Sequence, residues 1–266
     1  MVRRAAMAGQ FYTADKKELR EELESMLPPH KDKINAIGAV VPHAGYIYSG
    51  KVAGEVYSRI KPKQTYVILS PNHTGYGRQF AASEEPWQTP FGTVEIDEVL
   101  LSIIKEKTSL IKDDSEAHLY EHSIEVQLPF IQMIAEGAKI VPITVQYGKI
   151  EELEQIAEAL FLAVKETQRD VTILASSDMT HYEDRVSAEE KDKMAIERVL
   201  ALDSKGLLRI VEEKNISMCG YIPVAIMLMT AKKMKAEKAE LVKYSDSGYI
   251  TGDMLQVVGY AGVVVY

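Results

Sequence analysis

The chain has 266 residues, 46% hydrophobic and 26% charged, enough to bury a sizeable core without disulfides or a structural metal cluster. Its net charge of −8 comes from interspersed acids and bases, which leaves no electrostatic footprint for a nucleic-acid partner. No apolar run approaches the roughly 18 residues of a membrane span, and a single cysteine excludes an internal disulfide.

In chain order, Asp15 reads as the N-cap of a helix over KKELREELESML, stopped by Pro28-Pro29. IGAVV (37–41) is a strand, a helix starts near Ser49, and TYVILS (65–70) is the next strand. QFAAS (79–83) and GTVEI (92–96) are short strands, followed by a helix near 97–107. HSIEVQLPFIQMI (122–134) has helical periodicity that Pro129 must kink, unless it marks the first turn. KIVPITV (139–145) is a strand, 150–166 an amphipathic helix and VTILAS (171–176) another strand. Helices near 187–202, 204–213 and 221–234 lead to closing strands in ELVKYS and MLQVVGYAGVVVY.

Apolar runs alternating with helices predict an α/β fold whose sheet is mixed but largely parallel, sandwiched between helix layers. No Pro/Ser/Gly-rich linker or internal repeat divides it, so a single domain, 1–266, is expected. The basic start MVRRAAMAGQFY has too short an apolar stretch for a signal peptide, and with one thiol it predicts a cytoplasmic location.

Ligands of such sheets bind beyond the carboxyl ends of the strands. There stand His43 in VPHAGY, His73 in SPNH and His181 in SSDMTHY. Asn72 and His73 lie between rigid Pro71 and permissive Gly75, which suits a group held at fixed geometry. Asp178 precedes His181 by three residues, and in a first helical turn it would orient that imidazole and raise its pKa. Glu121, His122 and Ser123 open the 122–134 segment, where Ser123 can cap the helix while Glu121 or His122 reaches the site. His118 and His30 read as surface residues.

Cys219 admits two readings, a buried small hydrophobe or a thiolate favoured by the helix that starts near Tyr221. Two histidines with one anionic ligand make a half-filled metal site, and a Cys219–His181 nucleophile pair is a further arrangement. Dinucleotide, NTP and α/β-hydrolase chemistry have no motif, since GxGxxG, P-loop and GxSxG are all absent.

AGQFY, VPHAGYIYSG, SPNH, EHSIEVQLPF, SSDMTHY and MCGYIPV, in this order, resemble the Memo family over nearly the whole chain. The resemblance implies the α/β sandwich of class III extradiol ring-cleaving dioxygenases. It implies His43, His73 and Cys219 as metal ligands, Asp178 and His181 as an acid–base pair, and His122 as a pocket residue. The metal expected is Fe(II) or Cu, with Zn also compatible. A cysteine stands where the dioxygenases carry glutamate, so ring cleavage does not carry over. A metal-dependent redox enzyme of unknown substrate is one expectation. The other is a non-catalytic module that captures a peptide or partner in the same pocket, as proposed for phosphopeptides in animal members. Microbial members resemble one part of a three-component set with radical-SAM and AMMECR-type proteins.

Overall fold

The computed structural model describes residues 2–266. Asp15 caps α1 (Lys16–Met26) by accepting from Lys17 N and Glu18 N, and Leu19, Leu23 and Met26 turn inward. The elements that follow are β1 (Gly38–Val41), α2 (Tyr46–Arg59), β2 (Thr65–Pro71) and β3 (Phe80–Ala82). A small hairpin, β4 (Trp87–Thr89) and β5 (Gly92–Val94), precedes α3 (Glu98–Lys107) and β6 (Lys112–Asp113). Then come α4 (Leu128–Ile134), β7 (Lys139–Val145), α5 (Ile150–Thr167), β8 (Val171–Ser176) and β9 (His181–Glu183). The chain closes with α6 (Arg185–Leu200), α7 (Ser204–Glu213), α8 (Tyr221–Lys233), β10 (Ala239–Asp246), α9 (Gly248–Thr251) and β11 (Val257–Val265).

The main sheet runs β10-β11-β1-β8-β2-β7-β3-β6, and β9 pairs with the start of β11. Its centre, β1-β8-β2-β7, is parallel, while β11 and β3 flank it antiparallel. Every residue of β1, β2 and β8 is buried, which is why these strands read as unbroken apolar runs. Val52 and Val56 of α2 lie over Gly262 on one face, and Met227 of α8 lies over Gly38 on the other. The α1-α2-α4 and α3-α5-α7-α8 groups thus form the outer layers of a three-layer sandwich. No described helix is long and apolar enough to cross a membrane.

Three local expectations change. Helix α2 starts at Tyr46 rather than Ser49, because Phe11 O accepts the Tyr46 amide and relieves the uncapped end. The 122–134 helix is shortened to α4, because a 3-10 turn at Glu125–Gln127 precedes it, and Pro129 marks its first turn, the second of the two readings of that proline. Ser123 caps no helix, since its amide and hydroxyl both donate to the Glu121 carboxylate.

Candidate metal centre

Parallel β1 and β2, with β8 between them, end at one edge and deliver His43 and His73 side by side. The segment leading into α4 brings His122 to the same place. Ring centroids are 5.1 Å apart for His43–His73, 5.2 Å for His43–His122 and 4.6 Å for His73–His122. One nitrogen from each ring lies within 4.8 Å of the others.

The supports of these rings fix their tautomers. Ser176 Oγ donates its one proton to Ser123 O (2.7 Å), so toward Gln127 Nε2 (3.0 Å) and His43 Nδ1 (2.9 Å) it can only accept. His43 therefore carries its proton on Nδ1 and its lone pair on Nε2. Glu121 acts likewise on His73, accepting from the backbone amide (2.6 Å) and from Nδ1 (2.9 Å). A carboxylate behind an imidazole is the usual way to orient a metal-binding histidine.

Electrostatics keep His43 and His122 in the neutral form that a metal ion would require. Burial first, then the neighbouring imidazoles, holds His43 well below the ordinary histidine range. Burial also lowers His122 to about 4, against an opposing pull from Glu121. For Glu121 burial pushes upward, but the hydrogen bond and charge of His73 and the charge of His122 outweigh it and hold the carboxyl at about 2. Near neutral pH the site is thus neutral at His43 and His122 and negative at Glu121.

Cys219 meets the cluster through His43, with Sγ 3.2 Å from Nε2 and 3.3 Å from the Asp178 amide. Its thiol is pushed well up, by burial first and then by the Asp178 carboxylate, against the expectation of a thiolate favoured by the helix dipole. Desolvation acts on the whole charge, whereas the dipole offers about half a charge at the helix end.

Asp178 and His181 are near the site but not paired as the i,i+3 spacing predicts. His181 belongs to strand β9 rather than a helical turn, and its Nδ1 donates to Ser217 O (3.0 Å). Ser217 Oγ also accepts the His181 amide (2.7 Å), so Ser217 is what orients this ring. Asp178 Oδ1 instead accepts the His43 amide (2.7 Å), and burial raises its carboxyl to about 6 despite that bond and the charge of His181. Asn72 works inside its own loop, its Oδ1 accepting from Thr74 N (3.1 Å) and Gly75 N (3.0 Å), and so shapes the turn that presents His73. His118, expected on the surface, is buried against Trp87, with Nε2 on Ala81 O (3.1 Å). His30 is half-buried beside Glu55.

Ser176, Gln127 and Ser217, which support the histidines, carry no motif of their own in the sequence. Ser176 had a usable signal, being the last residue of a strand that pairs with β1 just before His43.

Fold and site define a three-layer α/β protein with an oriented histidine cluster at the carboxyl edge of its sheet. The sequence profile described as Memo-like protein matches residues 3–264. MEMO1 family proteins of Methanopyrus kandleri and Methanococcoides burtonii are each 42% identical to this chain, over 279 and 268 residues. Those alignments cover 99% of this chain and 99% and 100% of the two relatives. The chain belongs to the Memo family. Among solved structures, an uncharacterised protein of Escherichia coli K12 matches with a TM-score of 0.52 at 12% identity, over 84% of this chain and 98% of its own. At that identity the likeness concerns the fold alone.

Proposed function

We propose that this chain is a metal-dependent redox protein in which His43 and His73 hold iron or copper. The supporting observation is the convergence of His43, His73 and His122, with ligand atoms within 4.8 Å of one another and Nδ1 of the first two tied to Ser176 and Glu121. Imidazole suits iron, copper and zinc alike, and a thiolate would favour the softer Cu(I). His122 and Cys219 compete for the third position, His122 by its place in the cluster and Cys219 by its contact with His43. When bound, such an ion supplies one-electron chemistry and Lewis acidity. The chain's own contribution is to orient its ligands and manage protons. Glu121 keeps the His73 proton on Nδ1. Asp178, with a carboxyl near 6, exchanges a proton close to neutral pH, and His181 presents Nε2 as a second acceptor.

The test is metal analysis of an anaerobic preparation, then oxygen uptake with catechols and related reductants. Stoichiometric iron or copper, lost in His43→Ala and His73→Ala, is the expected result. A folded protein that takes up neither metal on anaerobic reconstitution would sink the reading. The alternative, a binding module without turnover, draws support from Tyr48, Tyr76, Tyr147, Tyr182 and Tyr249, exposed aromatics in loops, helix starts and short strand β9 at the same edge. On that reading a small molecule or peptide fills the pocket. The radical-SAM and AMMECR-type partners implied by the family then dock around it, which co-purification would reveal.

A further inference from the structure

The segment Arg3–Tyr12 crosses both arms of the histidine cluster. Arg3 is buried, its guanidinium 4.0 Å over the Trp87 ring, and besides a bond from Nη1 to neighbouring Arg4 O (3.2 Å) its fork makes three attachments to distant residues. Nε donates to His118 O (2.8 Å), Nη2 to Glu121 O (2.8 Å) and Nη1 to Glu125 Oε2 (2.5 Å). Buried Glu125 accepts in addition from Ala6 N (2.9 Å), Met7 N (2.8 Å) and Tyr12 Oη (2.8 Å). Further along, the Phe11 ring packs at 4.8 Å on His122, while Phe11 O accepts the Tyr46 amide (2.8 Å) just past His43.

We infer that this N-terminal segment is a working part of the metal centre, and that Arg3 and Phe11 are positioning residues for His73 and His122. The inference deepens the metal reading and rests on it. Arg3 holds the backbone of Glu121, whose carboxylate holds His73, and Phe11 bears on His122 directly. The 118–125 arm has little regular structure of its own, so its attachments come from outside. A guanidinium serves here where an ammonium cannot. Two carbonyls and a carboxylate are met at once by a planar fork, whereas a lysine reaches one or two of them.

Arg3→Lys retains the charge and loses the fork; Phe11→Leu retains apolar bulk and loses the ring against His122. Both are compared with the parent protein by Co(II) equilibrium dialysis and by the imidazole proton NMR signals of the metal-free protein. The expected result is a Co(II) affinity at least ten-fold weaker in each variant. Displaced ring signals are expected from His73 and His122 in Arg3→Lys and from His122 in Phe11→Leu, with far-UV circular dichroism unchanged. Should Arg3→Lys not fold, Phe11→Leu decides alone. Ring signals unmoved and affinity within two-fold of the parent overturn the inference. Should the parent itself bind no Co(II), iron and copper uptake decides the metal reading, and the ring signals alone decide whether the segment positions the histidines.

Discussion

Glu121 is the residue on which most of the site's order depends. It is fully buried and accepts from His73 N, His73 Nδ1, Ser123 N and Ser123 Oγ. Glu121→Gln keeps the shape but turns one oxygen into a donor that faces another donor. We expect a metal affinity about 10–100-fold weaker and a stability loss on the order of 1–3 kcal/mol from the unmade bonds. Dialysis and urea titration measure both, and an unchanged affinity would remove Glu121 from its orienting role. The third ligand is separable by softness. His122→Ala should weaken Fe(II) more than Cu(I), and Cys219→Ser the reverse, since a hydroxyl cannot replace a thiolate for Cu(I). Undiminished Cu(I) binding in folded Cys219→Ser would take the cysteine out of the ligand set. That thiol must lose its proton to bind, so Cu(I) uptake through it should release a proton and weaken as pH falls.

At the scale of elements, the contact between the end of β8 and the start of α8 sets where Cys219 lies. A Cβ at Gly220 would stand 2.3 Å from Ser176 O and 2.5 Å from Ser177 Cβ, so strand end and helix start meet at a distance only glycine permits. Gly220→Ala should force them apart, at a cost of about 1–3 kcal/mol for the overpacking, and lift Sγ away from His43. Faster alkylation of Cys219 together with a lower melting temperature is expected; unaltered alkylation would show that the helix start does not govern the thiol. The long helices and the central strands were legible, because full burial of central strands leaves unbroken apolar runs and half-buried helices leave periodic ones. Elements β4, β6, β9 and α9, each two to four residues long, are too short to show a period. The 118–127 arm was not legible. Its conformation follows from Glu121 and Glu125 capturing amides from distant segments, and such bonds have no period to read.

Across the whole molecule, buried neutral histidines make stability depend on pH. His118 and His122 titrate near 4 in the folded protein and His43 well below its ordinary range, against roughly 6.5 in an unfolded chain. Between those values the unfolded chain holds more protons, so stability falls as pH drops from about 6.5 toward 4. For His118 alone, with a folded pKa of about 4, the loss from pH 7 to pH 5 is about 2 kcal/mol. Asp178 acts in the opposite sense: raised to about 6, it favours the fold at low pH and gives up that contribution as pH climbs from about 4 through 6. Glu121, held at about 2, adds a loss only below about 4.5. Urea midpoints of the metal-free protein should therefore fall between pH 7 and pH 5. His118→Gln, whose amide can still reach Ala81 O, should show a shallower fall; the same slope in both proteins would clear His118 of that role.

The linear order of residues already determined the α/β class, the largely parallel sheet and the placing of His43 and His73 beyond strand ends. Those follow from period and punctuation, which are local. The order of motifs also carried the family, through residue identities rather than physics. Only the tertiary structure decided which side chains act on which. It gave His181 to Ser217 instead of Asp178, set Asp178 on the His43 amide, buried His118, and brought His122 into the cluster. Each of these is a contact between segments far apart in the chain, or a desolvation that depends on what packs around a group. Neither quantity exists until the sheet has brought its strands side by side.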